Sequence, residues 1–406
     1  MKINFIKLLY KEENNMKNNK GITLVALVVT IVVLLILAGV SINLVLGNNG
    51  IIAKAQDAKT KSAEASQNDL KGMNGLVSEM EGALAGNGST GSGSGNGNTG
   101  SGNNFVTKNT EVTYPDGKVW IPEGFKISKD SASTVQNGVV IEDKGGNQFV
   151  WVPVATLADY KRTAYSTNVA TEETDTATNS IKINYSSSSN NYYTEALPED
   201  EKTSVERYKG FYIGRYEAGD KESTGTTKAT FRTSSSNTSN SVTIKADQVP
   251  YNYVTRTQAI SLAESFRDKQ GYKAKTKLVS SYAWDTTIAF IEKTVNNYGS
   301  SSSQGNYSNT SVTYKDITDE SKPEKTKAEN SSLLVATGQT TPVCNIYDMG
   351  GNVFEWTTES HSLTYHPYAI RGGHYNSNFA DYPAGYRNNY SDRAYDDLGF
   401  RLTLFM

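Results

Sequence analysis

Twenty-five consecutive residues without a charge, Ile22 to Leu46, constrain this chain more than any other part of its 406 residues. As a helix the run would rise about 37 Å, more than the ~30 Å of a bilayer's hydrocarbon core, so it is long enough to span a membrane. Lys17 and Lys20 stand just ahead of it, which favours a cytoplasmic start. Yet mean hydropathy over the chain is −0.51, so the apolar residues are unevenly spread. Residues 51–85 carry Leu70, Met73, Val77, Met80 and Leu84 on one helical face, interrupted by Gly72, Gly75 and Gly82. Residues 86–104 are almost pure Gly, Ser, Asn and Thr, the composition of a flexible tether. Residues 105–406 remain for a globular domain.

The residues around the start of the apolar run, Lys20-Gly21-Ile22-Thr23-Leu24, resemble the cleavage and methylation site of type IV prepilins. The resemblance implies a leader over 1–21, cleavage between Gly21 and Ile22 by a prepilin peptidase, and a pilin-like helix over 22–85 that packs against other pilin subunits. The family usually carries glutamate at the fifth mature position; here that residue is Ala26. The departure points to a minor or tip subunit, or to an anchor that never polymerises. The same run also reads as an ordinary signal anchor.

Net charge is −2, so no nucleic-acid partner is implied. A single cysteine, Cys344, rules out an internal disulfide and reads as a small buried apolar residue. Tyrosine dominates the aromatics, 25 against 12 Phe and 4 Trp, and suits surfaces that are half buried and half wet. Val139 to Val154 reads as a hairpin about Lys144-Gly145-Gly146-Asn147, and Gly210 to Tyr216 as a strand. Periodicity predicts helices over Thr255–Lys269 and Ser281–Val295. The Ser/Thr/Asn-rich stretches 178–194, 221–245 and 298–310 are expected to be surface loops. The fold class is α+β.

Four motifs recur in a telling order: GFYIGRYE (Gly210 to Glu217), DMGGNVFEW (Asp348 to Trp356), IRGG (Ile370 to Gly373) and LGFRL (Leu398 to Leu402). With Ala283-Trp284-Asp285 they resemble the formylglycine-generating enzyme (sulfatase-modifying factor) domain, which implies a variant of the C-type lectin fold. The catalytic members of that family hold copper with a cysteine pair after Arg-Gly-Gly. Here no cysteine follows Arg371-Gly372-Gly373, so neither copper nor the oxidase activity is expected. A further branch of the fold uses a three-histidine iron site in a helical domain that this chain lacks. Its only histidines, His361, His366 and His374, read as solvent-facing loop residues. The resemblance also implies a structural Ca²⁺ held by Asp348 and Glu355 side chains and the carbonyls of Gly351 and Val353; the alternative is a metal-free structural turn.

Between Arg-Gly-Gly and Gly-Phe-Arg lies HYNSNFADYPAGYRNNYSDRAYDD, residues 374–397, with five Tyr, four Asn and four Asp in 24 positions. The mixture resembles an antibody paratope, and no ordinary strand or helix is expected from it. Lys, Glu, Gln, Met and Trp are missing. They form about a sixth of the chain, so their chance absence is on the order of one in a hundred. A codon ending in C encodes none of the five, so adenine mutagenesis of an AAC codon yields this palette. The stretch thus resembles the variable region of diversity-generating-retroelement target proteins. That resemblance implies ligand contacts at His374, Tyr375, Ser377, Phe379, Asp381, Tyr382, Tyr386, Arg387, Asn389, Tyr390, Arg393, Tyr395 and Asp396, beside fixed Arg371, Gly372, Gly373, Gly399, Phe400 and Arg401. The sequence reading is a non-enzymatic, cell-surface binder of an unknown protein or glycan on another cell, phage or host. The alternatives are a non-diversified minor pilin or adhesin and, third, an oxidase of the formylglycine-generating type.

Overall fold

The computed structural model describes residues 104–185, 191–223, 241–317 and 324–406, all within the contact unit Asn96–Met406. The Gly21–Ile22 junction, the apolar run, the stalk and nearly all of the tether lie outside the described residues. Among the described residues no helix is long and apolar enough to cross a membrane.

The hairpin forms as its sequence predicts. Val140–Glu142 pairs antiparallel with Gln148–Pro153, with Ile141 opposite Phe149. Asp143 locks the turn, its carboxylate accepting from the Asn147 amide at 2.7 Å and from Asn147 Nδ2 at 2.9 Å. The strand Gln148–Pro153 is apolar on both faces because both are covered. Phe149 and Trp151 enter one core cluster, while Val150 and Val152 enter another. It lies inside a six-stranded sheet whose order is Lys275–Leu278, Leu402–Phe405, Gly210–Gly214, Gln148–Pro153, Val140–Glu142, Lys126–Ile127. Gly210 is required there, since a Cβ would lie 2.3 Å from the Trp151 ring.

Helices cover this sheet. Arg256–Gln270 starts at a capping box: Thr255 Oγ1 accepts from the Gln258 amide and Gln258 Oε1 from the Thr255 amide. It stops at Gly271, φ 71°, and buries Ala259, Leu262, Ala263 and Phe266. Ser281–Glu292 starts on the Ser280 cap, ends three residues earlier than the periodicity predicts, and is buried almost all round.

A second, seven-stranded sheet runs Arg387–Tyr390, Tyr368–Arg371, Phe354–His361, Asn191–Thr194, Ser180–Tyr185, Ala170–Asp175, with Leu398–Phe400 parallel to Phe354–His361. Two of its strands correct the sequence reading, because 178–194 is not simply a surface loop. Ser180–Tyr185 and Asn191–Thr194 pair, and Ile181, Ile183 and Tyr193 are buried in a third core cluster. Their alternation is short and diluted by polar neighbours. The stretch 298–310 is likewise more than surface loop: Tyr298, Asn306 and Tyr307 are buried. Of 221–245, only the ends are described, and Val242–Thr243 pairs with Gly219–Asp220.

The second sheet, the segment carrying Arg162 and the helix Ser281–Glu292 meet at a buried ionic group. Arg387 Nε lies 3.1 Å from each oxygen of Glu359, and the same guanidinium also pairs with Asp285 and Glu172. Arg371 pairs with Asp285 at 2.6 Å and approaches Glu359 at 3.6 Å, and Arg162 pairs with Glu359. Three guanidinium groups thus face three carboxylates, all buried. Burial alone would raise the Glu359 carboxyl, but Arg387, Arg162 and Arg371 hold it at about 2. A depressed carboxyl contributes stability that is present above its unfolded pKa and lost as pH falls through its folded one. Glu359 should therefore withdraw about 3 kcal/mol between pH 4.5 and 2, read as a falling urea midpoint. Arg387→Met at neutral pH, which leaves Glu172 without its cationic partner and three buried carboxylates sharing two guanidinium groups, should lower the unfolding free energy by about 3–5 kcal/mol in the same assay.

Candidate functional site

Residues 374–397 leave the core at Gly372 and Gly373, whose φ values of 93° and 71° suit glycine. A Cβ on Gly373 would also lie 2.3 Å from the Tyr382 carbonyl oxygen, so the loop folds back tightly on its own start. The return is fixed at the carbonyls of 384–386. Trp284 Nε1 donates to Ala384 at 2.9 Å, and Arg371 donates to Gly385 and Tyr386 at 3.0 and 3.2 Å. Arg387–Tyr390 is then a regular edge strand paired with Tyr368–Arg371, contrary to the expectation of no strand in this window.

The thirteen expected contact positions do not share one fate. Ser377, Tyr386 and Arg387 are buried, which corrects their reading as contacts. Arg387 is withdrawn into the ionic core, and Tyr386 packs edge-on against Tyr382 with centroids 4.8 Å apart. His374, Tyr375, Phe379, Asp381, Tyr382, Asn389, Tyr390 and Asp396 are half-buried, while Arg393 and Tyr395 are exposed.

Aromatic contacts seat these side chains on the core strand Phe354–His361. Phe354 lies under His374 at 4.7 Å and Tyr382 at 6.5 Å, while Trp356 backs Tyr390, which meets Tyr395 at 5.7 Å. Tyr375 donates its hydroxyl to Asp396 at 2.9 Å. Burial brings His374 down to about 4, only partly opposed by Asp396, so its ring is neutral at pH 7. Its 3.6 Å approach to Asp397 is therefore no ion pair at that pH, and burial with Asp396 alongside lifts Asp397 to about 6. The result is a tyrosine-rich, hydrogen-bonding surface with acidic spots on a rigid base.

Sequence reasoning missed several neighbours of this surface. Asn309 exchanges hydrogen bonds with Asn378 and the Phe379 amide, and Ser332 donates to Asn376 at 2.5 Å. Asp392 caps the helix Arg256–Gln270 through Thr257. His366 stacks on Tyr390 at 6.4 Å, and Tyr365 is 87% exposed. No local signal marks Asn309 or Ser332, because their partners are distant in sequence. Among the histidines, His366 is exposed as expected. His361 is buried against Tyr193, a correction that follows from its place at the end of a core strand.

The expected calcium ligands are otherwise engaged. Both oxygens of Glu355 accept from Arg401, at 2.7–3.1 Å. Asp348 accepts from Thr340 Oγ1 at 2.6 Å and the Gly338 amide at 2.8 Å. Gly351, at φ 76°, donates its amide to Gly372, and Val353 is buried. Among the described residues no group of three His, Cys, Asp or Glu side chains is arranged to hold a metal. The donor set does not fit calcium, because the Arg401 guanidinium occupies the place of a cation at Glu355. The chain's one cysteine, Cys344, is buried beside Thr294 and Gln136.

Glu217, which the sequence marks only as the end of the Gly210 motif, lies beside this group. Burial, with Asp348 and Glu355 nearby, raises its carboxyl well above the usual value. Asn352 Nδ2 donates to one of its oxygens. A raised carboxyl contributes stability that is complete below about 4.5 and declines as pH rises. Glu217→Gln should therefore fold with stability within about 1 kcal/mol of the parent at pH 5 and lose less than the parent between pH 5 and 8 in urea titrations.

Comparison with known proteins agrees with the motifs. The model of the "Sulfatase-modifying factor enzyme 1-like domain" matches residues 94–404. No curated protein matches the chain. Similar solved structures include CarF, 14% identical, covering 48% of this chain and 87% of that one with a TM-score of 0.30. Treponema denticola variable protein 1 is 13% identical, with 64% and 97% covered and a TM-score of 0.36. PvdO from Pseudomonas aeruginosa is 17% identical, with 66% and 98% covered and a TM-score of 0.32. With the family match spanning well over half of its length, the chain belongs to the sulfatase-modifying factor (formylglycine-generating enzyme) family.

Proposed function

We propose that the protein is a non-enzymatic binder displayed at the cell surface, held by its pilin-like N-terminal helix, with residues 374–397 diversified by a retroelement. One observation carries the reading: the window divides into two physical classes. Ser377, Ala384, Gly385, Tyr386 and Arg387 are buried scaffold, while tyrosines, asparagines and aspartates between and after them reach the surface. Side chains on that surface can change without disturbing the ionic core, as a varied recognition surface requires. The residue palette of the window supports the same reading, and so does the tether, which gives a binding domain reach. The ligand is a protein or glycan on another cell, a phage or a host surface. The lone cysteine speaks against an oxidase of the formylglycine-generating type. Ala26 supports a minor, tip or non-polymerising role for the N-terminal segment.

Deep amplicon sequencing of the 3′ end of the gene in a growing population tests the diversification. Substitutions confined to adenine positions of codons 374–397, with a near-repeat template and reverse transcriptase beside the gene, are expected. Variation should be least at codons 377 and 384–387. A uniform sequence with no repeat would leave a fixed adhesin or minor pilin. Protease applied to intact cells should remove residues 105–406; their survival would overturn surface display.

A further inference from the structure

Lys327 is a buried lysine whose ammonium has no ion pair among the described residues. Instead Nζ donates to three backbone carbonyls: Tyr307 at 2.7 Å, Thr310 at 2.6 Å and Ser331 at 3.1 Å. Its three hydrogens are thereby used, and a cation sits in a cage of peptide dipoles. The two segments it grips are the ones that touch the start of the tyrosine-rich window. From the first, Ser308 donates both its amide and its hydroxyl to the Ser377 carbonyl, at 2.8 and 2.9 Å. Asn309 bonds Asn378 and the Phe379 amide, and the Tyr307 ring meets Phe379 at 6.3 Å. From the second, Ser332 holds Asn376.

We infer that Lys327 is the positioning residue of the ligand surface, an internal cation that clamps the 307–310 turn to Ser331 so that Ser308, Asn309 and Ser332 form a fixed collar around residues 376–379. The inference rests on the binding role proposed for the window. It adds a constant part, outside 374–397, to a surface whose other part varies. Replacing this lysine by an apolar residue would take the ammonium donor from the Thr310 and Ser331 carbonyls, leave the Tyr307 carbonyl only its bonds from Thr310, and open the turn.

Hydrogen exchange on the full-length chain in detergent reads the clamp without any ligand. Lys327→Met should speed exchange by about tenfold or more at 307–310 and at 374–379, leaving the strand 387–390 as protected as in the parent. In Lys327→Ala, propylammonium chloride should restore protection at both segments, while sodium chloride at equal ionic strength should not. Loosening at 307–310 with full protection kept at 374–379, or no change at either, would overturn the inference. If both Lys327 variants lose protection at 387–390 as well, the Asn309→Ala/Ser332→Ala double variant decides, since both side chains lie outside the cage. Faster exchange at 376–379 alone supports the collar, and unchanged exchange there sinks it. These outcomes are independent of gene diversification, so failure here and failure of the proposed function are distinguishable.

Discussion

The domain depends on a set of charges that water does not reach. Moving a single guanidinium or carboxylate into the interior costs several kcal/mol. Arg162, Arg371 and Arg387 tolerate it because Glu172, Asp285 and Glu359 arrive with them in equal number. The set is useful because of where its members sit. Arg371 ends the strand before residues 374–397, and Arg387 opens the strand inside them. Asp285 brings in the central helix, and Glu359 the middle of the second sheet. The loop between residues 371 and 387 is thus nailed at both ends to one electrostatic point.

A second interior pair works by the same logic. Arg401 lies across Glu355 and donates to the Gly214 carbonyl at 2.9 Å, so the Gly-Phe-Arg motif, the Asp348 to Trp356 motif and the strand Gly210–Gly214 are joined by one side chain. Asn352 extends the junction, contacting Glu217, Asn306 and Val335. Here three carboxylates, Glu217, Asp348 and Glu355, share one guanidinium, and burial with this crowding raises the carboxyls of all three. Motifs that mark the family are thus, in this chain, the bolts of a scaffold. The tyrosine-rich surface of residues 374–397 lies against the Asp348 to Trp356 motif, on Phe354 and Trp356.

That surface owes its character to tyrosine. A phenol covers apolar area with its ring and keeps a hydroxyl for exchange with water or ligand, at low cost in side-chain entropy. Tyr382, Tyr390 and Tyr395 stand on Phe354 and Trp356, directly or through one another, so their rings rest on a base that cannot retreat. Under the binding role proposed above, such a surface is read through side-chain identity while the backbone stays put.

Local features were legible from the sequence because their causes are local. The Val139 to Val154 hairpin is set by its glycine turn and Asp143, and the helix after Thr255 by its capping box; both need only a few neighbouring residues. The family motifs placed the fold, and the residue palette of 374–397 singled out the surface. Arg387 could not be read this way. It looks like any arginine of a paratope, and its burial follows from partners 28, 102 and 215 positions away. The same holds for Lys327, whose carbonyl cage is assembled from separate turns, and for the strands in 178–194, whose short alternation gains meaning only against a neighbouring sheet. The sequence by itself determined the hairpin about Asp143, the two capped helices and the chemistry the window carries. Only the tertiary structure decided which of those polar groups water still reaches, because desolvation depends on which charges meet in space.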